Sequence, residues 1–497
     1  MKLKSLFLLI VPVLMTLLSS GQEMLGAVSG NYSGVTGLQM NPSSMQNSRI
    51  YLDISLLGAD VFLQNNYLFQ DRDDYRITNF FHSGYEWPTH QEEYGTEDRI
   101  FYHSQKKNGK NVYENLRING PGIMVVYGKH AFGITTAVRS VFSARNVPYD
   151  IANFSYLGLN YLPQQNINYQ DNRPFSAAQL TWAEIGLSYS YMAYARGFNT
   201  IALGISVKRL LGYAGEYMKV DNIDYLVPND CTIIIKNINA KYGFSLPVDY
   251  DNNSLWNDKL LKGGGFGFDI GVTYTRKTRM YQKQYFNRLC AQENEDYLYR
   301  VGVALIDVGA VRFNQHAAQY SVDNRDATWT NLSSFKYQTI SQLMDTISYK
   351  FYGDNSSAYK GGKMMVWLPS ALTAQFDYHI RNHWYANASL VYGFALAANS
   401  LRRPSQLAII PRYESDNFEV DLPLSLYDWT LPRVGVAIRL YWLTIGTDKL
   451  GGFFSLSDFT GMDVYFNVNV RFGKGHCRLK GKEGCADQYY IHNPLSN

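Results

Sequence analysis

The sequence predicts an all-β chain, a transmembrane antiparallel β-barrel of about fourteen strands. Three observations predict it: long segments alternate apolar and polar residues, connections alternate between short and long, and no apolar run after the N-terminus is long enough for a membrane helix. The segment before the C-terminal tail shows the alternation best. Val464, Phe466, Val468, Val470 and Phe472 fall on one face, and Asp463, Tyr465, Asn467, Asn469 and Arg471 on the other. Phe266, Phe268, Ile270, Val272 and Tyr274 alternate with Gly267, Asp269, Gly271 and Thr273 in the same way, and Val434, Val436, Ile438, Leu440 and Trp442 with Arg433, Gly435, Ala437, Arg439 and Tyr441. A helix would scatter these residues around its circumference.

Alternation alone also fits a soluble sandwich, so the connections arbitrate. Short ones fall at Gly128-Lys129-His130, Ala195 to Asn199 and Arg381-Asn382-His383, and long ones at 70–120, 147–177, 215–262 and 314–363. Outer-membrane barrels pair short periplasmic turns with long extracellular loops in this manner. The exception is 278–296, of intermediate length. Strands are expected near 48–69, 121–127, 131–146, 178–194, 200–214, 263–277, 297–313, 364–381, 383–398, 405–414, 418–426, 432–446, 450–457 and 462–472. Their even number returns both termini to the periplasm.

Compartment follows from the N-terminus. Lys2 and Lys4 precede an apolar run from Leu6 to Leu18, and Ser19-Ser20-Gly21 supplies small residues for cleavage near Gly21. The expected organisation is a signal peptide over 1–21, a hatch-like segment over 22–47, the barrel over 48–472 and a periplasmic tail over 473–497, in the outer membrane of a Gram-negative bacterium. With 40 Tyr, 26 Phe and 40 Gly and only 18% charged residues, the composition suits strands and turns. Removing the two signal lysines from the formal charge of +4 leaves 4 − 2 = +2, which argues against nucleic-acid binding.

Charged residues on the face opposite the lipid should point into the lumen: Asp53, Glu184, Lys208, Asp269, Asp377, Arg433, Arg439, Asp463 and Arg471. They read either as a polar path or as ion pairs filling a narrow barrel. Trp182, Trp367, Trp384 and Trp442 are expected in the interfacial girdles. No nucleophile elbow, phosphate loop or standard metal-ligand spacing occurs, so neither a catalytic residue, a metal nor another cofactor is expected. His82, His90 and His103 in the first long loop read as solvated. Cys477 and Cys485 are close enough to form a disulfide loop in the basic tail, whereas Cys231 and Cys290 fall in connections on opposite sides of the membrane.

Gly30-Asn31-Tyr32-Ser33-Gly34 followed by Asn41-Pro42-Ser43-Ser44, just before the first strand, resembles the N-terminal segment of FadL-like barrels, where Asn-Pro-Ala is usual and Ser43 here replaces Ala. That superfamily includes fatty-acid transporters and the PorV-type proteins of type IX secretion. Segments such as Gly265 to Gly271, Leu305 to Gly309, Leu368 to Leu372, Pro411 to Glu414 and Ile445 to Asp448 are similar to an uncharacterised Bacteroidetes family of outer-membrane barrels. The resemblance implies that Asn41, Pro42 and Ser43 belong to a hatch that lines or plugs the lumen, although turn chemistry alone would choose the same residues. Three functions follow as expectations: transport of hydrophobic or small molecules, a PorV-like accessory role toward secreted proteins, or a structural barrel contacting the cell wall. The partners expected are outer-membrane lipid and lipopolysaccharide, the barrel-assembly machinery, and either secreted proteins or a hydrophobic ligand.

Overall fold

In the computed structural model, which describes residues 24–74, 86–91, 98–256, 258–294, 296–332 and 337–477, the alternating segments close into one antiparallel barrel of 14 strands. The signal peptide, His82 and Cys485 lie outside the described residues. The first seven strands are β1 (Ile50–Asn65), β2 (Lys110–Asn119 and Gly122–Tyr127), β3 (His130–Val147), β4 (Phe175–Arg196), β5 (Asn199–Asn229), β6 (Gly263–Lys277) and β7 (Tyr297–Phe313). The second seven are β8 (Met364–Trp367 and Ala371–Arg381), β9 (Trp384–Gly393), β10 (Gln406–Glu414), β11 (Phe418–Asp421 and Leu424–Tyr427), β12 (Leu431–Val434 and Val436–Leu440), β13 (Leu443–Thr447) and β14 (Gly461–Gly473). Closure comes from β1 on β14, with Asp53 opposite Arg471 and Ile54 opposite Val470. No strand of the ring is then left with an unpaired edge, the condition for a sheet to cross lipid.

The pleat sorts side chains as the alternation requires. Ile185, Leu187, Tyr189 and Tyr191 of β4, Leu203, Ile205 and Val207 of β5, and Phe266, Phe268, Ile270 and Val272 of β6 all face outward and are exposed. They form an apolar belt about ten residues tall along each strand, the span a tilted strand needs for a bilayer.

Three expected boundaries move. β2 begins at Lys110 rather than 121, because Gly120-Pro121 only interrupts it: the upper piece pairs Asn119 with Gly58 of β1 and the lower piece pairs Gly122 with Ser55. The run expected as one strand over 432–446 is two, turning at Tyr441-Trp442 with Tyr441 at φ +49°, while the strand expected over 450–457 is a helical turn, Leu450–Phe453. The errors cancel in the count. An apolar run crossed by a tight turn reads as a single strand because the turn carries no Gly, Pro or Asn.

The expected loops over 215–262 and 314–363 contain sheet. β5 rises well above the belt, pairs with Thr232–Ser245, and that strand pairs with Ala317–Trp329. Beyond the membrane both sheet faces meet water or helices, so the sequence loses the two-faced contrast that marks the belt. Helices α1 (Tyr149–Leu157) and α2 (Ile340–Tyr352) lie in the same extracellular part. Thr339 caps α2, its hydroxyl accepting from the backbone N–H of Gln342.

At the opposite end most connections are two or three residues long. The long turn 278–296 crosses beneath the barrel. Cys290 in it is bonded to Cys477 behind β14, with Cα atoms 5.1 Å apart. This corrects the expected Cys477–Cys485 pair: Cys290 is 187 residues away in sequence, and only closure of the barrel brings it to the tail. Cys231, at the extracellular tip of the β5 hairpin, pairs with no described cysteine. The turn also ties strand ends together, since the Gln292 side chain donates to the Val126 carbonyl and accepts from the Gly128 N–H.

Lys474 lies buried in this floor, and burial, with Lys277 and Arg300 nearby, pushes its ammonium down to about 7 from 10.5. Between those pH values the unfolded chain binds the extra proton, so stability rises with pH across that window. The unfolding midpoint is therefore expected to climb from pH 7 to pH 10, and Lys474→Met should raise it at pH 7 and flatten the climb. A thermal melt series in detergent checks both.

Candidate functional site

The lumen is filled in three layers. Uppermost, toward the extracellular side, an apolar layer gathers Phe62 of β1, Val141 of β3, Leu180 and Trp182 of β4, Leu210 of β5, Val311 and Phe313 of β7 and Tyr427 of β11, all buried and pointing inward. Trp182 is thus a lumen residue, not a girdle residue: it shares the inward parity of Glu184, to whose carboxylate its indole N–H donates at 3.0 Å. Trp384 and Trp442 are exposed at the periplasmic rim.

Beneath it lies a charge layer centred on Asp307. Its carboxylate accepts from Arg139 at 3.1 Å through both oxygens, from Lys208 at 2.8 Å and from Arg403 at 3.5 Å. Lys208 also meets Asp269 at 2.8 Å, and Glu184 meets Arg117 at 3.1 Å and Arg139 at 3.5 Å. Asp307 sits at φ +55° in a bulge where the β6–β7 register slips between Phe268 and Ile270. By simple alternation its side chain would face lipid; the bulge turns it inward.

The third layer is the N-terminal segment, residues 24–49, which fills the periplasmic half of the lumen. Met24, Leu25, Val28, Met40 and Met45 are buried there. Asn41 caps the 3-10 turn Pro42–Asn47: its side-chain oxygen accepts from the Ser43 N–H at 2.9 Å and the Ser43 hydroxyl at 2.6 Å. Pro42 stands at the first helical position, where no N–H is needed. The Asn41 amide reaches Thr273 at 3.3 Å, and the Ser43 and Thr273 hydroxyls are 2.7 Å apart. The wall makes room with glycines. A Cβ at Gly204 would overlap the Pro42 and Ser43 backbone, and one at Gly271 or Gly302 would overlap Asn41.

Polar contacts hold this segment to many strands: Val35 N–H to Asp53, Leu25 N–H to Asp448, Gly26 N–H to Tyr465, Gln46 to the Ser190 carbonyl, and Thr373 to the Met40 carbonyl. Asn31 donates to Glu414 at 2.7 Å and accepts from Arg300 at 2.6 Å. Glu414 also holds the fully buried Arg412, which forks onto Asp377 at 2.9 Å through both nitrogens.

The expected lumen charges therefore sit as follows. Asp53, Glu184, Lys208, Asp269, Asp377, Arg433, Arg439 and Asp463 are buried, and Arg471 is half-buried at the periplasmic rim, donating to the Tyr441 carbonyl and the Thr444 hydroxyl. Arg439 pairs with Glu419 at 2.7 Å; Arg433 donates to Gln64 at 2.8 Å and lies over the Tyr427 ring. Asp307, Arg139, Arg117, Arg403, Arg412 and Glu414 were not foreseen. Two cavities flank the N-terminal segment, one of about 30 Å³ beside Gly120 and Arg117 and one of about 50 Å³ beside Ser44, Thr273 and Arg300. Each has room for only one or two waters. Among the described residues no cluster of His, Cys, Asp or Glu could hold a metal ion. His90 stacks on Tyr102, and His103, expected to be solvated, is instead buried against Tyr67 and Tyr156 with its ring bonded to Gln105.

Among solved structures the chain is similar to a deletion mutant of the TodX monoaromatic hydrocarbon channel (TM-score 0.41, 10% identity, 92% of this chain and 100% of that chain). It is also similar to the Pseudomonas putida toluene transporter TodX (0.31, 9%, 91% and 96%) and to a Pseudomonas aeruginosa FadL homologue (0.29, 10%, 92% and 99%). No curated protein matches it in sequence. The model of a family of unknown function, DUF5723, matches residues 42–448, from the Pro42 turn to the end of β13, and the chain belongs to that family.

Proposed function

We propose that this barrel conducts small apolar molecules across the outer membrane and that its N-terminal segment is the gate. The observation that carries the reading is the apolar layer. A barrel serving only as a water-filled pore has a polar interior, yet here Phe62, Trp182, Leu210, Phe313 and Tyr427 face one another inside the ring. Cargo arriving from outside would meet apolar side chains first.

The form seen is closed, since even benzene needs a cavity of about 150 Å³ and the two cavities hold about 30 and 50 Å³. Passage requires the N-terminal segment to shift. Its contacts are hydrogen bonds that water can replace, the amide and hydroxyl ones worth about 1 kcal/mol net each and those to Asp53, Asp448, Glu414 and Arg300 about 1.5–3 kcal/mol. The interrupted strand at Gly120-Pro121 borders one cavity, and parting the Gly120 N–H from the Thr136 carbonyl, 2.8 Å apart in the form seen, would give apolar cargo a sideways exit into lipid.

The test locks the gate. Ser43→Cys with Thr273→Cys places two thiols where hydroxyls now touch. In cells whose lipopolysaccharide leaflet bars apolar solutes, barrel-dependent uptake of a monoaromatic hydrocarbon is expected to stop on oxidation and return on reduction. Uptake unaffected by the crosslink would end the gate reading.

A second reading, a PorV-like accessory role toward secreted proteins, is favoured by the height of the extracellular sheet, where β5 alone runs to 31 residues. Co-purification of a partner that is lost when residues 214–245 are shortened would support it.

A further inference from the structure

Arg139, Lys208, Arg412 and Arg439 turn into the lumen and are buried against carboxylates. Arg209 of β5 and Arg312 of β7 do the reverse: they point outward and are exposed. We propose that these two arginines form a binding site for a phosphate of the lipopolysaccharide around the barrel. The inference goes beyond the transport reading and does not depend on it.

Strand β6 runs between the two. Its Gly264 pairs with Leu211, two residues from Arg209, on one side and with Arg312 on the other. Paired Cα atoms of antiparallel strands stand about 4.5–5.5 Å apart, so both arginines border one glycine on the outer face. The Arg209 guanidinium lies over the Phe266 ring at 4.9 Å and donates to the Gly265 carbonyl at 3.2 Å. It reaches across Gly264, where a Cβ would stand 3.2 Å from its Nη2. A long cation that only sought water would extend away from the strand; this one is held flat against it. Gly264 has no side chain to part the two arginines, and a single phosphate can accept from both guanidinium forks.

Height fixes the occupant. At the periplasmic end of β6, Tyr274 donates to Asn199 beside the β4–β5 turn and packs near Tyr299. Gly264 lies about ten residues from Tyr274, the length a tilted strand needs to cross the hydrocarbon. Between them Phe266, Phe268, Ile270 and Val272 are exposed toward lipid. The arginines thus sit where hydrocarbon gives way to headgroups on the extracellular side, the level at which lipopolysaccharide carries its phosphates. Nothing acidic competes: 205–215, 259–268, 308–316 and 355–367, the stretches of β5 to β8 around the site, contain no Asp or Glu. Asp258, just before β6, is held by Lys262 and His316. Lys259 and Lys363 are exposed in the same stretches and add positive charge.

The experiment uses the full chain in detergent, with deep-rough lipopolysaccharide as the probe and native mass spectrometry reading the bound fraction. Wild type is expected to bind it saturably. Arg209→Gln with Arg312→Gln should bind about tenfold more weakly, because charge-assisted bidentate bonds are lost. Gly264→Leu keeps both charges but fills the gap between them, and it should bind more weakly as well, whereas diffuse attraction of charge would be unaffected. Dephosphorylated probe should no longer distinguish the double variant from wild type. Lys129→Gln, at the periplasmic β2–β3 turn, should bind as wild type, and heat-modifiable migration confirms that each variant is folded. Wild-type binding by the double variant or by Gly264→Leu overturns the proposal. So does a loss in the double variant that is as large for phosphatidylglycerol as for lipopolysaccharide.

Discussion

Asp307→Asn is expected to lower barrel stability by about 3–5 kcal/mol, the usual cost of removing one partner from a buried ionic cluster. Asn keeps the shape and tolerates the left-handed backbone at φ +55°, so the loss reports charge rather than strain. What remains is Arg139, Lys208 and Arg403 converging on a neutral amide, with Asp269 beside Lys208 and Glu184 beside Arg139. Asp307→Ala should cost about 1 kcal/mol more, for the unfavourable φ. The decisive variant is the double one. Asp307→Asn with Lys208→Met removes a cation along with the anion and should recover part of the loss, whereas two independent sites would simply add. The temperature at which the folded band disappears in heat-modifiability gels reads all three. An unchanged temperature for Asp307→Asn would show that water, not ion pairing, satisfies this layer.

The same residue shows where the sequence stops being readable. Alternation placed Glu184, Lys208 and Asp269 inside because their strands keep period two past them, and the structure has all three buried. Asp307 lies in the run Leu305 to Gly309, where period two gives it the lipid side, and the bulge that reverses it has no mark in composition. One signal was available: a carboxylate in the middle of an apolar strand cannot face hydrocarbon cheaply, so the parity had to change nearby. Arg139 and Arg412 need no such reversal, because period two alone puts them inside, Arg139 with Ala137 and Val141 and Arg412 with Ile410 and Glu414. Asn41-Pro42-Ser43 was legible as a turn, but its seat was not, because Gly204, Gly271 and Gly302 come from three strands and read singly as ordinary small residues. The Cys290–Cys477 bond was beyond local reading for the same reason, since neighbours in a closed ring are distant in sequence.

The glycine seat gives the second large effect. Gly204→Val and Gly271→Leu are each expected to drive the gate toward its open form, because the new side chains need the space of Pro42, Ser43 and Asn41. Inward overpacking costs about 1–3 kcal/mol per site, so each change should raise the open fraction roughly 5- to 150-fold. That shift is too small to dislodge for good a segment that buries Met24, Leu25, Val28, Met40 and Met45, and each single variant should show brief conductance events in planar bilayers. The double variant should hold the pore open and expose Arg49, where the segment joins β1, to trypsin. Wild type should do neither. Gly362→Ala, at an extracellular glycine where the new methyl would meet only the flexible end of Tyr359, its hydroxyl at 3.2 Å, controls for a general cost of losing glycine. Filler and gate now predict different things. If the N-terminal segment only fills space, crowding its seat lowers the unfolding temperature and no current appears; if it is a gate, the barrel stays folded and conducts. Adding Ser43→Cys and Thr273→Cys to either single variant should then abolish the current on oxidation, because the crosslink holds the segment against the same wall that the new side chain pushes it from.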